Sequence, residues 1–262
     1  MDMRIVTWNI NSVRARLERV QEFLTAYDPD VLCLQETKAQ DVHFPRTFFE
    51  DLGYPHLAIR GQKSYNGVAI ISKVPFENTD HINWCDKEDA RHIAVTLKDG
   101  PTLHNFYVPA GGDKPDPEIN DKFAHKMQFM DEMTAWSKTI DRPSILVGDL
   151  NVAPFEEDVW DHKKLLKVVS HTTIEVDKMA EMVAAHGWVD IMRQIVPLPE
   201  KLFSWWSYRS RDWRASNYGR RLDHVWVSPS LGATATHMEV VMDARDGEKP
   251  SDHAPVVVDF TF

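Results

Sequence analysis

The chain has 262 residues, with 30 Lys and Arg against 40 Asp and Glu, and a formal net charge of −10. With 43% hydrophobic and 27% charged residues it is a folded globular chain, not a disordered or fibrous one. No run approaches the roughly 18 apolar residues of a membrane span, and two cysteines exclude a disulfide scaffold or cysteine-based zinc site. The opening Met1–Trp8 is acidic early and turns polar at Asn9, unlike a signal peptide. The expected compartment is therefore the reducing cytoplasm. Arg4–Trp8 reads as a buried strand, after which Asn11 or Ser12 is placed to cap a helix carrying Val13, Leu17, Val20, Leu24 and Tyr27 at helical spacing. Asp28-Pro29 ends that helix, and Val31–Gln35, Val68–Ser72, Ile93–Leu97, Leu103–Tyr107 and Ser144–Gly148 follow as short β-branched strands. Pro117–Thr139 is helical, with Phe123, Met127 and Met130 on one face. A shorter helix around Lys178–His186 stops at Gly187. Leu222–Val227, Thr234–Val241 and Val256–Phe262 complete the strands. The mixture predicts mixed β-sheets with helices packed outside, in one domain over 1–262.

The chemistry lies where the strands stop. Apolar runs end repeatedly in a carboxylate or amide: Trp8-Asn9, Gln35-Glu36, Gly148-Asp149-Leu150-Asn151, Leu222-Asp223 and Ser251-Asp252-His253. One such acid is an ordinary turn or cap residue. Five strand ends of the same kind indicate a shared site on a rigid scaffold. Glu36, Asp149, Asp223 and Asp252 with Asn9, Asn11 and Asn151 offer oxygen donors that suit Mg²⁺, with Mn²⁺ as substitute. No zinc spacing, phosphate-binding glycine loop or nucleophile elbow is present. Carboxylates, amides and His253 together fit metal-assisted hydrolysis of a phosphate ester.

Four segments carry a family resemblance. Pro29-Asp30-Val31-Leu32-Cys33-Leu34-Gln35-Glu36-Thr37-Lys38 resembles the first signature of the exonuclease III-type abasic-site endonucleases, and Gly148-Asp149-Leu150-Asn151 their Gly-Asp-x-Asn strand end. Asn217–Ser228, with Arg220-Arg221-Leu222-Asp223, and Lys249–Pro255, with Ser251-Asp252-His253, are similar to the two later signatures. They occur in family order over nearly the whole chain. The resemblance implies an α/β four-layer sandwich of two mixed β-sheets packed face to face. It also implies a Mg²⁺-dependent nuclease that cuts duplex DNA 5′ to abasic sites and acts as a 3′→5′ exonuclease or 3′-phosphodiesterase. A metal-dependent phosphoesterase with a non-DNA substrate is the competing reading. A monomer with no obligate protein partner and no membrane is expected.

The same resemblance implies roles. Glu36 holds the metal, with Asn9 and Asp252 close by. Asp149, helped by Asn151, orients or deprotonates the attacking water. Asp223 holds His253 against the scissile phosphate, and Tyr107 touches the phosphate or the leaving oxygen. Asn11, Lys38, Trp205, Trp206, Arg209, Arg220 and Arg221 serve DNA binding, with Trp205 and Trp206 matching an aromatic pocket for a baseless sugar. An acidic chain is a poor nucleic-acid binder overall, but segment 203–221 holds five arginines, six aromatics and one acid, a local charge of +4. After Tyr107-Val108-Pro109, Ala110-Gly111-Gly112 stands where many relatives carry a polar Asn or Gln, which removes one phosphate contact.

Overall fold

Short strands whose residues are apolar at every position give a sheet two apolar faces, and both faces have to be covered. The computed structural model describes residues 2–98 and 100–262. Along the chain the strands are β1 (Asp2–Asn9), β2 (Val31–Gln35), β3 (His56–Arg60), β4 (Val68–Ser72), β5 (Phe76–Asp80), β6 (His92–Leu97) and β7 (Thr102–Tyr107). After them come β8 (Ser144–Asp149), β9 (Val189–Asp190), β10 (Trp205–Trp206), β11 (Gly219–Arg220), β12 (Asp223–Val227), β13 (Ala235–Val240) and β14 (Val256–Thr261). One six-stranded sheet runs β13-β14-β1-β2-β4-β3 and the other β5-β6-β7-β8-β12-β9, with β10-β11 a separate ribbon. Each large sheet has one parallel pair at its centre, β1 with β2 and β7 with β8, amid antiparallel neighbours.

The helices that make those two crossovers explain the outer layers. Helix α1 (Leu17–Tyr27) presents Val20, Phe23 and Leu24 to Val6, Trp8, Leu32 and Leu34 of the first sheet. Helix α2 (Arg46–Asp51) adds Phe49 to that layer. Helix α3 (Asp121–Ser137) packs Phe123, Met127 and Met130 on Phe106, Leu146 and Trp226 of the second sheet, beside Met179 and Met182 from the helix Thr173–His186. Between the sheets lies a third apolar layer built from Ile5, Cys33, Ile70 and Val258 against Val95, Leu103, Val147 and Val225. The arrangement is the expected four-layer sandwich. A polar lock crosses it: the buried Gln35 amide donates to Asn105 Oδ1 (2.7 Å) and Thr7 Oγ1 (2.9 Å), and the Asn105 amide donates to the Leu34 and Ala69 carbonyls. Apart from Gln35 Oε1, which has no partner, these buried groups are paired, so a slip between the sheets would orphan them.

Two expectations about elements are corrected. Asn11 and Ser12 do not cap α1; they sit at φ 47° and 89°, and the helix begins at Leu17 behind Arg16 with no side-chain cap. Val13 is buried but lies ahead of the helix. The helix ending at Gly187 starts earlier, at Thr173, because Thr172 and Glu175 form a reciprocal capping box. Strands β3 and β5 escaped the sequence reading because both are edge strands with little buried apolar surface. Among the described residues, no helix is long and apolar enough to cross a membrane.

Candidate active site

The strand ends converge. Asn9 ends β1, Glu36 follows β2, Tyr107 ends β7, Asp149 ends β8, and Asp223 opens β12 directly opposite Asp149 in register. Two carboxylates facing each other across a ladder repel, and His253, from the loop before β14, relieves the pair. His253 Nδ1 lies 2.8 Å from Asp223 Oδ2, and His253 Nε2 lies 3.6 Å from Asp149 Oδ2. The Asn9 amide donates to Asp149 Oδ2 (2.8 Å) and Glu36 Oε1 (3.0 Å), which ties the ends of both sheets together. The Asn151 backbone N–H donates to Asp149 Oδ1 (3.0 Å), and its side-chain amide donates to the Val108 carbonyl.

Local backbone geometry explains the residue types. Glu36 and Asn151 adopt left-handed φ values of 48° and 54°, turning the chain sharply as it leaves each strand. Gly148 has φ 139°, and a Cβ there would stand 2.0 Å from the Phe106 carbonyl oxygen, so only glycine lets β8 lie this close to β7.

Burial and neighbours set the charges. Burial pushes the Asp149 carboxyl up, and Asp223 adds to the lift against the pull of the His253 cation. Burial opposes charge on His253, but Asp223 and Asp149 outweigh it and raise the imidazole to about 10. Burial also acts to raise Glu36, yet Lys38, then Asn9 and Tyr107, more than offset it and hold the carboxyl below its usual range. The Lys38 ammonium lies 2.8 Å from Glu36 Oε2 and donates to Asn11 Oδ1 (2.6 Å). Burial drives the Tyr107 hydroxyl well up, followed by the fields of Glu36 and Asp149, so it stays a proton donor.

The donors suit a hard divalent cation. Asp149, Asp223 and His253 present ligand atoms all within 4.8 Å of one another. Asp223 Oδ1 is buried with no hydrogen-bond partner, leaving a carboxylate oxygen over for a cation. Asp252 stands apart from that group: its oxygens accept from the Asn11 amide (3.1 Å) and the Trp205 indole (3.0 Å).

Glu36, Tyr107, Asp149, Asn151, Asp252 and His253 line one cleft of about 550 Å³, with Trp205, Arg209 and Arg220 on its rim. Two residues assigned to DNA are placed elsewhere. Arg221 is fully buried; its Nε and Nη2 fork onto Asp158 (2.8 Å each), and Nη1 reaches Asp190 (2.7 Å). A guanidinium so committed braces β12 and contacts no solvent-borne phosphate. Trp206 is 2% exposed, packed on Phe203 and Trp213 with its indole N–H on Asn217, so it backs Trp205 and offers no open face to the cleft.

Sequence reasoning missed two features. Trp160 lines the cleft and packs against the exposed Tyr218, with ring centroids 4.3 Å apart and planes tilted by 35°. Lys126, in the middle of α3, is fully buried and ion-paired with the buried Glu175. Its ammonium also donates to the Asn151 carbonyl (2.8 Å) and, more weakly, the Ala110 carbonyl (3.4 Å), directly under the site. Only the capping box around Glu175 left a trace of this pair in the sequence.

Comparison with known proteins agrees with this architecture. The family model described as Endonuclease/Exonuclease/phosphatase family matches residues 6–253. The chain is 31% identical to exodeoxyribonuclease III of Haemophilus influenzae, over 98% of this chain and 100% of that protein. It superposes on an AP endonuclease from Archaeoglobus fulgidus with a TM-score of 0.92 at 31% identity, covering 99% of this chain and 100% of the other. A Neisseria 3′ phosphatase solved with a product DNA hairpin gives a TM-score of 0.91 at 31% identity, with the same coverage. The strand-end cluster and these full-length matches together mean that the chain belongs to the endonuclease/exonuclease/phosphatase family and, within it, to the exonuclease III-type abasic-site endonucleases.

Proposed function

We propose that the protein is a divalent-metal-dependent DNA-repair nuclease that hydrolyses phosphodiester bonds in duplex DNA. It cuts 5′ to abasic sites and trims 3′ ends as a 3′→5′ exonuclease and 3′-phosphodiesterase, leaving a 3′-hydroxyl. The observation that carries the reading is His253, held by Asp223 and facing Asp149 in a cleft that Glu36 and Asn9 also line or brace. Asp149, oriented by Asn9 and by the Asn151 N–H, is the group that aligns and deprotonates the attacking water. The His253 imidazolium, kept charged by Asp223, takes up negative charge on the phosphoryl oxygens. Tyr107, held protonated, donates toward the phosphate or the departing 3′-oxygen. Glu36, with Asn9, would hold Mg²⁺, or Mn²⁺ in its place, and the Asp149 and Asp223 carboxylates would offer further oxygens. When bound, the ion neutralises charge on the phosphate.

Lys38, Asn11, Arg209 and the open face of Trp205 contact the DNA strand in this reading. The core shared by both sheets favours one domain over 1–262, acting as a monomer, and two buried free cysteines favour a reducing cytoplasm. The test is a labelled duplex with one abasic-site analogue beside an intact duplex, each incubated in Mg²⁺ and in chelator. A metal-dependent cut immediately 5′ to the lesion is the expected product. No cleavage of either duplex at any 3′ end or lesion overturns the reading in favour of a smaller phosphate ester.

A further inference from the structure

Lys126 is a charged residue where packing alone asks for none. It sits in the middle of α3 with no exposed surface, beside Phe123, Met127, Phe129 and Met130, and an apolar side chain would fill the same space. Its ion pair with Glu175 does not explain it, because an ion pair buried this deeply brings little net stability over apolar residues of similar volume. The ammonium has three protons to give. One goes to Glu175, and the others reach the Asn151 carbonyl (2.8 Å) and, more weakly, the Ala110 carbonyl (3.4 Å). Ala110 lies just past β7 and Asn151 just past β8, so one side chain on the crossover helix grips both turns that follow the parallel pair.

Each turn is shaped to receive that grip. Gly111 has φ 90°, and a Cβ there would stand 3.0 Å from Lys126 Cδ, so glycine lets the chain pass over the lysine stem. The Asn120 amide, at the start of α3, donates to the Gly111 carbonyl (2.9 Å) and keeps this turn on the helix. Asn151 holds a left-handed φ of 54°, a strained choice for a residue with a side chain. Three anchors keep it there: its N–H donates to Asp149 Oδ1, its side-chain amide to the Val108 carbonyl, and its own carbonyl accepts from Lys126. Glu175 accepts in turn from the Ser170 N–H (2.8 Å), and the Ser170 carbonyl accepts from the Ala153 N–H (2.7 Å), two residues past Asn151. Lys126 and Glu175 thereby close a ring of hydrogen bonds around the turn that follows β8.

Resting on the nuclease reading above, we infer that Lys126 is a positioning residue for hydrolysis: by holding the Asn151 carbonyl it keeps the Asn151 N–H aimed at Asp149, the carboxylate that takes the proton from water. Without the ammonium, that carbonyl is buried and unpaired, and the turn rearranges to find it a partner. The left-handed residue then relaxes, and the Asp149 carboxylate keeps its bond from Asn9 but loses the one from Asn151. The rim that meets the DNA strand is left as it was, so turnover suffers and affinity does not.

The test uses Lys126→Met and a double variant that adds Glu175→Gln. The single variant strands a buried carboxylate, so the double variant carries the decision: it removes both charges and leaves the Ser170 N–H an acceptor. Turnover is read on a duplex with one abasic analogue in Mg²⁺, and amide hydrogen exchange and Tm are read on metal-free protein. In the double variant, kcat is expected to fall about 10²-fold, the cost of a displacement near 1 Å at the reacting atoms, with KM within threefold of wild type. The Asn151 N–H is expected to exchange at least tenfold faster, with the Leu146 and Val147 amides unchanged. A kcat within threefold of wild type overturns the inference, as does a raised KM with kcat intact. A lowered Tm with faster exchange along all of β8 makes Lys126 a strut and overturns it too. If the wild type cleaves no duplex, the nuclease reading fails by itself, and the Asn151 exchange still decides whether Lys126 positions this turn.

Discussion

The floor and the rim of the cleft are built on opposite plans. On the floor, Asn9, Asp149, Asp223 and His253 are each under 5% exposed; the first three sit at the ends of central strands, His253 precedes β14, and most of their polar atoms are paired within the cluster. On the rim, Trp205 and Arg220 belong to a two-residue ribbon, Arg209 is exposed, and partners are mostly backbone or absent. A paired, buried floor holds charge in fixed places, as electrostatic catalysis requires. A sparsely paired rim keeps donors free for a ligand. Substitutions on the floor should therefore change turnover, and substitutions on the rim should change affinity and preference.

The largest effect sharpens the floor's side of this contrast. Asp149→Asn keeps the shape and the Asn9 contact but removes the base, and is expected to lower kcat about 10³-fold with duplex affinity and Tm nearly retained. Single-turnover kinetics read this directly, and a kcat within tenfold of wild type removes Asp149 from the mechanism. Metal chelation should silence the protein to the same degree, with activity returning on addition of Mg²⁺.

Next comes the support beneath the floor. Lys126→Met strands the buried Glu175 carboxylate at a cost of about 3–5 kcal/mol, and Arg221→Gln costs less because Asp158 keeps its ion pair with Arg193. Thermal unfolding should show both drops, and adding Glu175→Met to Lys126→Met should recover much of the first. Failure of the double variant to recover would mean that the Lys126 contacts to Asn151 and Ala110, not the stranded charge, dominate.

A smaller effect follows the His253 charge. Because its folded value is raised from 6.5 to about 10, the stability it contributes is complete below its ordinary value and is lost as pH rises through about 10. In metal-free protein, NMR should find the imidazolium persisting past neutral pH. Asp223→Asn should move that titration down and bring the loss of stability to lower pH. The smallest effect belongs to the rim: Arg209→Gln should weaken duplex binding several-fold and reduce the slope of log affinity against log salt by about one.

The same contrast governs what could be read in the sequence. Glu36 and Asp149 were legible because an apolar strand that ends in an acid marks both the element and its exit; Asp223 was read the same way but opens β12. Mixed sheets with helices outside were legible because buried strands and one-faced helices share the chain, whereas the four-layer sandwich came only from the family resemblance. The rim was not, since a local charge of +4 does not reveal which arginines are already paired. Arg221 meets acids 63 and 31 residues away, and Arg214 is taken by Asp243 and Asp246. Lys126 was hidden for a related reason: a lysine within a helix looks solvated until the helix against which it packs supplies Glu175.

The pairing of β1 with β14 has a consequence in time. Ser251 Oγ donates to the Asn9 carbonyl across 242 residues, and the Trp8 indole donates to the His253 carbonyl across 245. A ribosome that has delivered Asn9, Glu36 and Asp149 has not yet delivered His253, nor the strand that seats it beside β1. Contacts so distant in sequence form late. A nascent chain of this protein thus carries Glu36 and Asp149 early but stays chemically silent toward nucleic acid until His253 and the strand that follows it are in place.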